Sequence, residues 1–213
     1  MTALSLIVSG LGRDFNRRPV FRDISFTVNA PGSVAITGLN GAGKSTMMKI
    51  LAGVVSPTSG SVRFESGGTG LSAEELQLRI GFVSPYLNLY DEFTADENLR
   101  LIARIRSGVE PSAERMEHRL RQVDLWNRRF DPLGTFSSGM KQRLKYAVAL
   151  LHEPEILLLD EPTSNLDAEG IAMVRAAAAE HRERGLLIVA TNSEEEAAWC
   201  SQRVHLTGSG ARR

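Results

Sequence analysis

The chain has 213 residues, with 25 Lys+Arg balancing 25 Asp+Glu, so its formal net charge is zero. Hydrophobic residues at 42% and charged residues at 23% exclude a disordered chain, and neutrality argues against the basic stripe of a generic nucleic-acid binder. A single cysteine, Cys200, rules out an intrachain disulfide and a cysteine cluster for a metal, and no apolar run reaches the ~18–20 residues of a membrane span.

Met1 to Val8 is apolar without a basic leader, which reads against a signal peptide and for a cytoplasmic chain. Leu4–Val8 and Ile24–Val28 read as strands, and Pro31-Gly32 as a turn. Ser33–Thr37 is a short buried strand, and Met47–Leu51 has helical character that stops at Gly53. Val62–Phe64 is the next strand, followed by a Gly/Ser-rich loop over Glu65–Gly70, a short helix and the strand Ile80–Val83. From Pro85 to about Ala149 strand patterns disappear; Thr94–Ile105 and Ala113–Trp126 read as helices. Residues 100–129 hold eight arginines against four acids, the mark of a solvated helical face or of a docking surface. The apolar run Ile156–Leu159, an Ala-rich helix over Ile171–Arg184 and the strand Leu186–Thr191 complete an α/β core with strand-rich and helical additions.

Gly38-Leu39-Asn40-Gly41-Ala42-Gly43-Lys44-Ser45-Thr46 leaves a buried strand and opens a helix, the context of a P-loop. Its glycines let backbone N–H groups converge without a Cβ clash into a nest for phosphate oxygens, and the helix start adds partial positive charge. Lys44 would reach the β- and γ-phosphates, and the Ser45 hydroxyl would ligate Mg²⁺. A second constellation is Ile156-Leu157-Leu158-Leu159-Asp160-Glu161, an apolar strand ending in two carboxylates at the sheet edge where open α/β folds bind ligands. Asp160 suits a Mg²⁺ role and Glu161 a general base or water orienter.

With these motifs in this order, the chain resembles an ATP-binding-cassette (ABC) ATPase subunit over almost its whole length. Phe136-Ser137-Ser138-Gly139-Met140-Lys141-Gln142-Arg143 resembles the family signature, and Ser164-Asn165-Leu166-Asp167 the loop that crosses the dimer interface. The resemblance implies a RecA-like P-loop NTPase core over 1–84 and 150–213, an N-terminal antiparallel β subdomain, and an inserted helical subdomain over 85–149. It implies ATP and Mg²⁺ as ligands, and a head-to-tail homodimer or heterodimer with another such subunit. Ser137 and the Gly139 amide would then complete the γ-phosphate site of the partner. Phe15 falls where the family sets an aromatic ring against adenine; it reads equally as a core residue of the N-terminal sheet.

Further implications are an integral membrane permease as partner, with the chain peripheral on the inner face of the cell membrane, and no nucleic acid. The compact length is similar to the haem-exporter ATPases of cytochrome c biogenesis. A nucleotide-gated clamp with little hydrolysis, and a soluble cassette protein acting on ribosome or DNA, are the alternative functions. Two positions depart from the family. Pro85 stands where a Gln usually contacts Mg²⁺ and the attacking water, with Ser84 or Asn88 as replacements. Asn192 stands where a His usually touches the γ-phosphate; it donates a hydrogen bond but carries no proton near neutral pH. Slow hydrolysis with ordinary ATP binding is the expectation. The histidines at 118, 152, 181 and 205 read as surface or structural residues.

Overall fold

The computed structural model describes residues 4–207; positions 1–3 and 208–213, at the ends of the expected core, lie outside the described residues. Strands β1 (Leu4–Phe15), β2 (Arg18–Asn29), β4 (Ser59–Ser66) and β5 (Thr69–Gly70) form an antiparallel sheet in the order β2-β1-β4-β5. β1 and β2 run to twelve residues each, well past the apolar stretches Leu4–Val8 and Ile24–Val28. Polar residues and Gly10 interrupt the alternation, but pairing continues through register shifts after Val8 as far as Phe15 opposite Arg18. The expected loop Glu65–Gly70 is instead a hairpin. Glu65 and Ser66 stay in β4, Thr69–Gly70 returns as β5, and Gly67-Gly68 turns the chain with φ of 61° and 81°.

The second sheet is parallel, in the order β6 (Ile80–Val83), β7 (Ile156–Asp160), β8 (Leu186–Thr191), β3 (Gly32–Thr37), β9 (Gln202–His205). Every residue of β7 and β8 is buried, as a strand covered on both faces requires. Alternation divides their side chains between two cores. Ile156, Leu158, Leu186 and Ile188 face Met47, Leu51 and the antiparallel sheet, whereas Leu157, Leu159, Leu187 and Val189 join the core of the helical insert.

Around this sheet lie α1 (Lys44–Leu51), α2 (Ala73–Arg79), α6 (Ala168–Arg182) and α7 (Glu194–Ala197). The insert holds α3 (Ala95–Ser107), α4 (Ala113–Gln122) and α5 (Ser138–Leu150), with Leu99, Met116, Leu120 and Leu144 buried together. α4 ends at Gln122, short of Trp126. Asp124 adopts φ 55°, and Trp126 enters a separate 3₁₀ turn with its ring beneath the Arg129 guanidinium, 3.8 Å from the centroid. Three of the eight arginines pair with nearby acids: Arg100 with Asp96, Arg121 with Glu117 and Arg104 with Glu110, each at 2.7 Å.

Candidate functional site

The carboxyl ends of β3, β7 and β8 lie side by side, and their loops build the site. The loop after β3 is shaped by three glycines with φ of 148°, 83° and 100° at positions 38, 41 and 43. Gly43 also needs its missing Cβ, because one would sit 2.5 Å from Val20 Cγ1 and 2.9 Å from Phe21 Cδ1 of β2. Gly43 begins α1 without any side-chain cap, and the first turn of α1 has no acid. The first N–H groups of α1 are therefore left for an anion. Lys44 is buried, with its Nζ donating to the carbonyls of Gly38 (3.1 Å) and Leu39 (3.4 Å) and pairing with Glu161 at 3.6 Å. Ala42 is buried behind the loop, whereas Gly41 is open to solvent.

Asp160 ends β7 fully buried. One carboxylate oxygen accepts the Ser45 hydroxyl at 3.1 Å, and the other, Oδ2, has no hydrogen-bond partner. Burial raises its pKa above the ordinary carboxylate range, with the Ser45 bond opposing. An orphaned buried oxygen beside a hydroxyl is an oxygen donor set suited to a hard divalent cation. Glu161 follows with φ 51°, a left-handed backbone that a non-glycine residue adopts at a cost of roughly 1–3 kcal/mol. Its N–H bonds Ala190 O at 2.9 Å, and its side chain remains partly open. The turn lifts the carboxylate off the strand toward Lys44.

Ser137 and Gly139 line a different groove, of about 450 Å³, together with Arg128, Arg143 and Asp167. Ser137 caps α5, its hydroxyl accepting the Met140 N–H at 3.2 Å. A Cβ on Gly139 would stand 3.1 Å from Asn165 O, so the glycine lets the loop after β7 pass close to α5. Asp167 caps α6 through Gly170 N at 2.8 Å and takes Arg143 at 2.7 Å; those bonds hold its carboxyl below the usual range. Phe15 is 48% exposed at the end of β1, with Arg13 stacked 4.5 Å from its ring, so it is not a core residue of the sheet.

The ABC transporter family matches residues 21–164. This chain belongs to it. Among similar proteins is the lantibiotic transport ATP-binding protein SrtF of Streptococcus pyogenes, 35% identical over 86% of this chain and 78% of the relative. The lipoprotein-releasing system ATP-binding protein LolD of Geobacter metallireducens is 35% identical over 94% of this chain and 92% of its own length. A solved structure of the ATP-binding subunit of an ABC transporter superposes with a TM-score of 0.82 at 30% identity, covering 96% of this chain and 86% of the other. The chain is thus an ABC ATPase, the ATP-binding subunit type of such transporters. Among the described residues no helix is long and apolar enough to cross a membrane.

This ABC ATPase places its two unusual positions differently. Asn192 sits against the P-loop, donating from Nδ2 to Asn40 Oδ1 at 3.0 Å. Pro85 is exposed, and neither expected substitute stands alone: Ser84 is buried with its hydroxyl accepting Tyr86 N, while Asn88 lines a groove with Ser138 and Gln142.

The sequence reading missed three contributors. Glu196 is buried and accepts from Thr163 and Thr191, tying the loop after Glu161 to the end of β8 just before Asn192. Buried Tyr146 donates to Pro162 O at 2.7 Å and secures the same turn. His205 pairs with Thr37 across the β3–β9 register, at 3.2 Å from its hydroxyl, and lines a groove with Asn40 and Asn192. Their contacts join positions 16, 33 and 168 apart, which no local pattern marks; the spacing Ser193-x-x-Glu196, that of a helix cap, is the one signal that could have drawn attention to Glu196. His152 and His181 are structural, with burial drawing both pKa values down to about 4, and burial pushes the Cys200 thiol up to about 12.

Proposed function

We propose that this ABC ATPase powers a membrane transporter by pairing head to tail with a second ATP-binding subunit, and that a second copy of the same chain suffices. The observation that supports this is the division of phosphate-binding chemistry between two grooves. Lys44, Ser45 and the uncapped start of α1 converge at one, while Ser137, Gly139 and the acid-free start of α5 lie at the other. A γ-phosphate held by the first groove of one subunit still has oxygens to offer the second groove of its partner.

In this reading Phe15 stacks on adenine. The backbone from Gly38 through Asn40, Gly41, Ala42 and Gly43 to Thr46 cradles the phosphates, and Lys44 turns from its loop carbonyls to the β- and γ-oxygens. Ser45 and Asp160 would hold Mg²⁺, whose charge, when bound, draws electron density from the phosphates. Glu161, raised off β7 by its left-handed turn, accepts a proton from the attacking water or orients it. Asn192 contributes a neutral donor near the γ-phosphate, and Asp167 lies at the subunit boundary.

An integral membrane permease then completes the assembly, with the chain peripheral on its cytoplasmic side and no nucleic acid involved. The names of the relatives point to different cargos, a lantibiotic and lipoproteins, so the cargo is left open in this reading. A nucleotide-gated clamp is the second reading, favoured by the absence of a titratable side chain at both Pro85 and Asn192.

The deciding experiment compares phosphate release and sedimentation for wild type and Glu161→Gln with saturating ATP-Mg²⁺. Transport coupling predicts slow but measurable release by wild type, and a stable dimer of Glu161→Gln that is absent without ATP. Release equal in the two proteins removes Glu161 from catalysis, and a monomeric Glu161→Gln at high concentration removes the shared site.

A further inference from the structure

The loop leaving β6 is gripped from two sides by lysines of two different helices. From α5, Lys145 Nζ donates to Ser84 O at 3.3 Å and to Pro85 O at 3.2 Å. From α1, Lys49 Nζ lies 4.6 Å from the centroid of the Tyr86 ring. Between these grips the backbone is a closed turn: Leu87 N donates to Ser84 O at 3.1 Å and Tyr86 N to the Ser84 hydroxyl at 3.3 Å. β6 is hydrogen-bonded to β7, with Val83 opposite Leu159, so the turn leaves the sheet beside Asp160 and Glu161. Ser137 is at the start of α5, and Lys44 and Ser45 are at the start of α1. The turn therefore touches both the helix that Ser137 caps and the helix that opens with Lys44 and Ser45.

We propose that Lys145 and Tyr86 form a clamp on the turn Ser84–Tyr86 that couples the position of α5 to the phosphate-binding helix, in place of any side chain at position 85. The inference rests on the reading of this chain as an ATP-hydrolysing subunit. Three features make the clamp suited to the task. Pro85 contributes only its carbonyl, so its side chain cannot reach a phosphate or a water by hydrogen bonding. An ammonium bridging two consecutive carbonyls fixes the direction of both peptide planes, which a single hydrogen bond does not. Partial burial lowers the Lys145 pKa and strengthens the attraction of its ammonium to the Ser84 carbonyl, where the bond is part-buried, more than to the exposed Pro85 carbonyl. The other end is softer: Tyr86 is 67% exposed, and a ring over Lys49 slides more readily than a hydrogen bond bends. A rigid grip on α5 and a compliant grip on α1 let displacement of α5 shift the turn next to Asp160.

Lys145 and Tyr86 are positioning residues, because neither is placed against nucleotide. The test uses the purified full chain with four variants. Lys145→Met keeps the alkyl stem and removes the charge, Lys145→Arg restores a fork of donors, Tyr86→Leu releases Lys49, and the last combines Lys145→Met with Tyr86→Leu. Displacing a reacting group by a fraction of an ångström predicts a roughly tenfold lower kcat for Lys145→Met, with KM for ATP and calorimetric ADP affinity within about twofold of wild type. Lys145→Arg returns kcat to within about threefold, and the double variant is no slower than Lys145→Met. Hydrogen exchange at the Tyr86 and Leu87 amides accelerates in Lys145→Met at an unchanged melting temperature. A wild-type kcat for Lys145→Met, an arginine variant as slow as the methionine one, or multiplicative losses in the double variant each overturn the clamp. So does exchange at Tyr86 and Leu87 that stays at the wild-type rate. That last measurement needs no turnover. A wild type that binds ADP but releases no phosphate counts against hydrolysis, and exchange still decides the clamp.

Discussion

Helices α1 and α5 begin differently from the other α-helices among the described residues. α2 and α3 open with complete capping boxes, Ser72 with Glu75 and Thr94 with Glu97, and α4, α6 and α7 each carry at least one acid in the first turn. α1 and α5 carry none. An acid at a helix start normally stabilises the helix by roughly 0.3–1 kcal/mol, so its omission leaves positive potential for another anion. The two bare starts also differ from each other. Gly43 offers no side chain to its helix, whereas Ser137 already accepts the Met140 N–H. The first is open on its own, and the second retains a hydroxyl proton and free N–H groups to present outward. This contrast matches one site that binds ATP within a subunit and one that completes it from another.

The strongest way to break the contrast is Lys44→Ala, which removes the cation at the first start. ATP affinity measured by calorimetry should fall roughly 10–100-fold, the range for losing charge-assisted hydrogen bonds, with a nucleotide-free melt close to wild type. Unchanged affinity would end the P-loop reading of residues 38–46. A more discriminating variant gives the second start the acid it lacks. Ser138→Asp should leave ATP affinity of the single subunit intact and leave its melt unchanged or slightly higher, yet cut phosphate release about tenfold through repulsion of the partner's nucleotide. If release is untouched, α5 does not meet ATP. The smallest effect is expected at the loop facing the first start. Asn192→His should raise turnover by roughly twofold to tenfold at constant affinity, since a histidine can carry charge where asparagine cannot. A slower histidine variant would make the Asn192–Asn40 bond an adapted contact.

Much of the first site was legible because its chemistry is made by consecutive residues. Strand, glycines, Lys44 and Ser45 are local, and so is the run Ile156–Glu161, whose all-apolar strand can only end at the sheet edge. Element ends were less legible. Beyond Val8 the apolar signal of β1 fades while pairing with β4 as far as Gly12 and with β2 as far as Phe15 carries the strand on, and Val123, Leu125 and Trp126, which extend the apolar pattern of α4, hide the break at Asp124. The exposure of Phe15 likewise depends on where the β1–β2 hairpin ends.

By itself, the order of residues determined the α/β core, the glycine-rich loop from Gly38 to Thr46 and the paired carboxylates, because each is a short-range pattern with its own backbone consequences; the segment Phe136–Arg143 was read from its resemblance to the family signature. Only the tertiary structure decided which distant groups support them. Lys145 reaches a turn some sixty positions earlier, Glu196 joins Thr163 to Thr191, and His205 lies beside Thr37 through a strand pairing 168 positions apart. A lone lysine, glutamate or histidine has no local pattern that marks its partner. Its role comes from the crossing of elements in the fold, which brings two carbonyls to Lys145, two threonines to Glu196 and the Thr37 hydroxyl to His205.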